Sequence, residues 1–198
     1  MSIALLVIDL QKDFFDTEYS DQTRAERTKQ DLASSLNQLM DTARQSGILV
    51  VFINTSLLPD RSNWNLRMKD INSSVCIRST PGEALISEIR TGQNDMVITK
   101  ERYSAFFRTR LDEILQARAV NSLIVCGINT HACVRTTAID AFMRDYRVFI
   151  PIECVASYDQ DQHSSTLNYF SKRIAKVLKS KEMITRIRGN NYNFKFTE

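Results

Sequence analysis

The chain has 198 residues, with 26 Lys and Arg against 23 Asp and Glu for a formal net charge of +3, which is enough length for one domain around a single core. Its basic residues are scattered, and the one cationic cluster, Lys172, Arg173, Lys176 and Lys179, falls on a helical pattern as a solvated face, so no nucleic-acid partner is expected. Four cysteines, at positions 76, 126, 133 and 154, form no C-x-x-C pair and are too few for a disulfide scaffold, so reduced thiols in a cytoplasmic protein are expected.

The first apolar run, residues 3–8, has no basic region before it and ends in Asp9-Leu10-Gln11-Lys12-Asp13. It reads as a strand rather than a signal peptide or a membrane span. Leu32, Leu36, Leu39, Met40 and Ala43 then recur at helical spacing and Gly47 stands at a C-cap position, predicting a helix over 23–46. Residues 48–53 form a β-branched run of a strand buried on both faces. Residues 55–82 lack periodicity and hold two of the three prolines, so they are expected to be a long functional connection bordering a site. A short helix over 83–90, a strand over 96–99 and a helix marked by Leu111, Ile114, Leu115 and Ala119 follow. A strand over 122–126, a helix over 130–145 and a strand over 147–150 come next. Leu167, Ile174, Val177 and Leu178 line a last long helix, and Met183-Ile184-Thr185 supplies the sixth strand. Alternation of this kind predicts an α/β fold, a doubly wound, mostly parallel six-stranded sheet with helices on both faces. The domain is expected to end at 185. The tail 186–198 alternates Tyr192, Phe194 and Phe196 with polar residues, as a half-buried strand contacting a neighbouring subunit would.

Three apolar runs end in groups that carry chemistry: Asp9 after 3–8, Lys100 after 96–99, and Cys133 shortly after 122–126. Each alone has a plain reading: a strand-end Asp, an exposed Lys, a small buried Cys. Together they are a carboxylate, an ammonium and a thiol at the carboxyl edge of one sheet. The Asp would take the thiol proton and return it to a leaving amine, and the Lys would favour the thiolate. Cys133 at a helix start beside Lys100 is expected to have a lowered pKa. Cys126 and Cys154 read as core residues.

The blocks Val7-Ile8-Asp9-Leu10-Gln11-Lys12-Asp13-Phe14, Lys100-Glu101-Arg102-Tyr103-Ser104-Ala105-Phe106 and Cys126-Gly127-Ile128-Asn129-Thr130-His131-Ala132-Cys133-Val134 resemble those of the isochorismatase-like cysteine hydrolases. That family includes nicotinamidases and N-carbamoylsarcosine amidase. The resemblance runs over about residues 3–156. It implies Asp9, Lys100 and Cys133 as the catalytic triad, a cis peptide between Ile128 and Asn129, and an oxyanion hole made by the Asn129 and Cys133 backbone N–H groups. It also implies a homo-oligomer, dimer or tetramer. Nicotinamidases of the family hold a metal through an Asp and histidines in the loop after the second strand, whereas residues 54–69 here contain no His. Neither metal nor cofactor is therefore expected, and His131 and His163 are read as packing or capping residues.

True isochorismatases lack a cysteine at the nucleophile position, so Cys133 favours hydrolysis of a C–N bond in a small amide, ureido or carbamoyl compound through a thioester. Phe14, Phe15, Trp64, Tyr103 and Phe106 are candidates for the pocket wall. Two alternatives stay open: an isochorismatase-type ether hydrolase or other non-amide hydrolase, and a non-catalytic binding protein on the same fold.

Overall fold

All six strands run in the same direction. The computed structural model describes residues 2–16 and 21–195. Strands β1 (Ser2–Ile8), β2 (Leu49–Thr55), β3 (Met96–Lys100), β4 (Val120–Gly127), β5 (Arg147–Pro151) and β6 (Lys176–Leu178) pair in the order β3-β2-β1-β4-β5-β6. The order reverses between β1 and β4, which is the topological switch point of a doubly wound sheet. Between and after the strands come α1 (Lys12–Asp16), α2 (Gln22–Gln45), α3 (Leu66–Asp70), α4 (Leu111–Ala117), α5 (Arg135–Phe142), α6 (Gln160–Arg173) and α7 (Ser180–Arg188). Among the described residues, no helix is long and apolar enough to cross a membrane.

The period of two along β1 divides the core. Leu5 and Val7 face a cluster built with α2 and α7, through Leu32, Leu36, Met40, Met183 and Ile187. Leu6 and Ile8 face the opposite cluster, with Leu111 and Leu115 of α4, Ala138 of α5 and Phe170 of α6. Side chains of this size, fully buried, each contribute about 1.5–3 kcal/mol. Asp21 and Asp159 cap α2 and α6 by accepting from the amides of Arg24 and Gln162. Gly47, at φ +69°, takes the left-handed turn after α2 that its sequence position predicts.

Three expectations are corrected. Residues 83–90 are not a helix: a single 3₁₀ turn spans Pro81–Glu83, and the following backbone bonds across to the segment after β1, with Ile86 N donating to Leu10 O at 2.9 Å. Asn37 of α2 holds the same stretch, donating to Glu88 O at 2.8 Å and accepting from Arg90 N at 2.9 Å. Tertiary hydrogen bonds override the local helical preference. The long helix ends at Arg173, and Lys176–Leu178 is the edge strand β6, paired with Phe149, Ile150 and Pro151. Met183, Ile184 and Thr185 lie in α7 rather than in a strand, with Met183, Ile184 and Ile187 turned into the core at helical spacing.

The tail after α7 packs on this chain. No strand forms over 191–195. Tyr192 is buried in this chain's own core, and Phe194 meets Phe149 edge to face at 5.1 Å. Phe196 lies outside the described residues.

Candidate active site

The strand ends bring the three groups together for reasons of register. Asp9 leaves β1 with φ +54°, its amide donating to Ile53 O at 2.8 Å, so the chain turns out of the sheet with the carboxylate at its edge. Lys100 ends β3, opposite Thr55 at the end of β2. Because β2 separates β1 from β3, the backbones carrying Asp9 and Lys100 are about two strand spacings apart, on the order of 10 Å. The long Lys100 side chain crosses the end of β2 to close that gap. β4 adjoins β1, and the turn Thr130–Val134 that follows it carries Cys133. Gly127 permits the approach: its φ is +111°, and a Cβ there would stand 2.0 Å from Ile8 O.

Asp9 and Lys100 are 0% and 1% exposed. Lys100 Nζ lies 2.7 Å from Asp9 Oδ2, 2.8 Å from Thr55 Oγ1 and 3.4 Å from Cys133 Sγ. Asp9 Oδ1 accepts from Thr55 N at 3.1 Å and Thr55 Oγ1 at 2.9 Å. Oδ2 faces the ammonium as an ion pair outside hydrogen-bond alignment, so a lone pair remains for another donor. Burial opposes the charge of Lys100 most strongly, but Asp9 and Cys133 together outweigh it and hold the ammonium above its ordinary range.

Cys133 departs from the sequence expectation. Burial, with the charge of Asp9, pushes its thiol well above the ordinary value, and Lys100 opposes this without cancelling it. The helix start and the ammonium lose to desolvation because Cys133 is only 5% exposed. Burial thus favours the protonated thiol over the thiolate.

A cavity of about 80 Å³ opens onto Cys133 and Lys100. The connection 55–82 borders it as expected, through Thr55, Leu57, Arg67, Met68 and Val75. Of the aromatic candidates, Phe14 and Tyr103 line this cavity. The other three do not. Phe15 is fully buried in the core, Trp64 donates to Leu58 O at 2.9 Å beneath the Arg61 guanidinium, and Phe106 stacks on Tyr146 at 6.0 Å. Their apolar surface is used in packing. Clefts of about 520 and 580 Å³ lie elsewhere and touch none of the triad.

Sequence reasoning missed Thr55, Gln11 and Arg67. Gln11 Oε1 accepts from Thr55 N at 2.8 Å and its Nε2 donates to Thr55 O and Glu83 O, both at 2.8 Å. A polar residue ending an apolar run, the signal that marked Asp9 and Lys100, also marks Thr55. Arg67, an exposed residue of α3, is on the cavity wall, and its side chain has no hydrogen-bond or ion-pair partner among the described residues.

The turn beneath Cys133 is held from several sides. The Ile128–Asn129 peptide is cis, and the amides of Ala132 and Val134 donate to Asn129 O at 3.0 and 3.2 Å. Thr130 donates its amide and its hydroxyl to Ala156 O at 2.9 and 3.0 Å. Since that hydroxyl proton is committed, His163 Nδ1, 2.9 Å away, is the donor to Thr130 Oγ1. His131 Nδ1 lies 2.7 Å from Ser157 Oγ, with its ring edge-on to Tyr158. Burial is the main reason both imidazoles sit below their ordinary range. Both histidines brace the turn.

With this geometry in place, comparison with known proteins is decisive on the family. The family model for the isochorismatase domain matches residues 3–182. The chain belongs to the isochorismatase family. This isochorismatase-family chain is 28% identical over 182 residues to enterobactin synthase component B of Escherichia coli (strain K12), covering 91% of its own length but 62% of that relative. It thus spans less than two thirds of that protein. Among solved structures, a cysteine hydrolase from Pseudomonas syringae pv. phaseolicola 1448A aligns with a TM-score of 0.84 at 26% identity, over 94% of this chain and 92% of the other. N-carbamoylsarcosine amidase from Thermoplasma acidophilum aligns with a TM-score of 0.76 at 29% identity, over 91% and 97%.

Proposed function

We propose that this isochorismatase-family hydrolase is a cysteine amidohydrolase cleaving the C–N bond of a small amide, ureido or carbamoyl compound. The observation that carries the reading is Lys100 Nζ, buried and shared between Asp9 Oδ2 at 2.7 Å and Cys133 Sγ at 3.4 Å beside a cavity. A raised thiol next to a carboxylate oxygen with a spare lone pair calls for proton transfer at the moment of attack. Asp9 Oδ2 takes the Sγ proton as Sγ bonds to the substrate carbonyl carbon. The ammonium, already in place, stabilises the sulfur as its charge develops.

The backbone N–H groups of Asn129 and Cys133 are assigned to the oxyanion of the tetrahedral intermediate, following the family resemblance. Collapse breaks the C–N bond, and the leaving ammonia or amine departs with the proton held on Asp9. The thioester is then attacked by water, which gives its proton to Asp9 while the acid product leaves and the proton returns to Sγ. The names of the two solved relatives, a cysteine hydrolase and an amidase, support the same chemistry.

Arg67 sharpens the substrate class. Arg67, sharing the cavity wall with Phe14, Met68 and Val75 and without an acidic partner among the described residues, suits a compact molecule with an apolar part and a carboxylate. The test is an ammonia-release screen over small amides and ureides, with and without a carboxylate. Release from carboxylate-bearing members is expected, abolished by Cys133→Ala. Cleavage of an enol ether that survives Cys133→Ala, with no amide hydrolysed, overturns the proposal.

A further inference from the structure

Outside the triad, Thr55 touches both of its charged members. Its hydroxyl receives a proton from Lys100 Nζ at 2.8 Å, and its own proton goes to Asp9 Oδ1 at 2.9 Å. Its backbone N–H also points at Oδ1, at 3.1 Å. Two donors from one residue reach Oδ1, the N–H being shared with Gln11 Oε1, whereas Oδ2 faces the Lys100 ammonium at 2.7 Å outside hydrogen-bond alignment. The two oxygens of Asp9 are therefore unequal, and the inequality comes from Thr55.

We infer that Thr55 is a positioning residue that confines proton transfer to Asp9 Oδ2, with Gln11 as its outer clamp. Gln11 grips the Thr55 peptide at both ends, accepting from its N–H and donating to its C=O, each at 2.8 Å. Its remaining amide proton goes to Glu83 O at 2.8 Å, so no hydrogen-bonding capacity of its Nε2 is left to float. Gln11 is fully buried and Thr55 is 8% exposed, so this hydrogen-bond set is largely shielded from solvent. Without the hydroxyl, Oδ1 regains a free lone pair, Lys100 loses one acceptor, and the carboxylate is free to tilt away from the orientation that presents Oδ2 to Sγ.

This rests on Asp9 acting as the base toward Cys133, and its test needs no substrate. The rate of Cys133 alkylation by iodoacetamide is followed from pH 5 to pH 10 by peptide mass spectrometry in the wild type, Thr55→Val and Thr55→Ser. Valine keeps the shape and the backbone N–H but lacks the hydroxyl. The expected result is about tenfold slower labelling in Thr55→Val at neutral pH, with the profile displaced, and a rate within about twofold of wild type in Thr55→Ser. Labelling of Cys76 serves as the internal control for folding and is expected to be unchanged. Should Thr55→Val fail to fold, Thr55→Ala against Thr55→Ser repeats the comparison. An identical Cys133 profile in the hydroxyl-free variant, or a defect in Thr55→Ser as large as in Thr55→Val, overturns the assignment. A failed amide screen alongside the expected labelling pattern refutes the substrate reading and leaves the role of Thr55 standing.

Discussion

The two edges of the sheet pose a contrast. At the amino edge, a cleft of about 520 Å³ is lined by Arg44, Asp95 and Arg118; Arg44 meets Asp95 through two nitrogens at 3.1 and 2.7 Å and Asp41 at 3.1 Å, Gly92 N fills Asp95 Oδ2 at 2.6 Å, and Arg118 donates to Ile114 O at 3.4 Å. At the carboxyl edge the cavity is about 80 Å³, yet beside it lie a buried ion pair, a carboxylate oxygen with a spare lone pair, a thiol pushed well above its ordinary range and, among the described residues, an Arg67 side chain with no acidic partner. Volume does not mark the site. Unfinished polar business at the ends of strands does, since a group with remaining capacity is one that is able to act on something else.

The contrast is broken most forcefully by exchanging the charges at each edge. Asp9→Asn is expected to cut turnover by about 10³-fold or more, and to destabilise the fold by about 3 kcal/mol by stranding Lys100. Asp9→Asn with Lys100→Met should recover the stability, measured by urea unfolding, without recovering activity. Arg44→Ala at the amino edge should do the reverse, leaving turnover within about twofold while costing about 1–2 kcal/mol from the stranded Asp95. Gly127→Ala tests the close approach of β4 to β1 at the carboxyl edge. A Cβ 2.0 Å from Ile8 O at φ +111° has no room, and a loss of about 3 kcal/mol or more in unfolding free energy is expected.

Smaller effects sharpen the comparison. Arg67→Ala is expected to raise KM for a carboxylate-bearing substrate about tenfold with kcat nearly unchanged, and Arg67→Lys to fall between, as steady-state kinetics will show. His163 gives the smallest signal. Its folded pKa is depressed below the ordinary 6.5, chiefly by burial with His131 adding, so the unfolded chain binds the proton first as pH falls. The stability it contributes is present above about 6.5 and lost below it. His163→Gln, which keeps a donor toward Thr130, should therefore lose less stability than wild type between pH 7.5 and 5.5 in parallel urea titrations.

Asp9, Lys100 and Cys133 are legible in the sequence because a strand end is a local signal: an apolar run stops at a polar residue, and parallel alternation puts all such stops on one edge. Thr55 obeys the same rule, but a threonine at a strand end is too common to stand out without the register that sets it opposite Lys100. The order β3-β2-β1-β4-β5-β6 is not written in any one segment, so the route of Lys100 over β2 is invisible until the sheet is assembled. Phe15, Trp64 and Phe106 share the composition of Phe14 and Tyr103 and differ only in which way the backbone aims them. The thiol of Cys133 was misjudged for a related reason: charge neighbours are legible as motifs, whereas desolvation depends on everything packed around them. Residues 176–178 read as helix because three residues are too few to display a period.

The central claim is that Cys133 carries the substrate's acyl group, and the direct measurement is the mass of the protein during turnover. A hydrolysed amide from the screen is mixed with the enzyme, quenched in acid within the first turnovers, and digested. The account predicts an added acyl mass on the peptide bearing Cys133, removed by hydroxylamine and missing from Cys133→Ala, which should also fail to release ammonia. Full ammonia release by Cys133→Ala, with no adduct in the wild type, would contradict it.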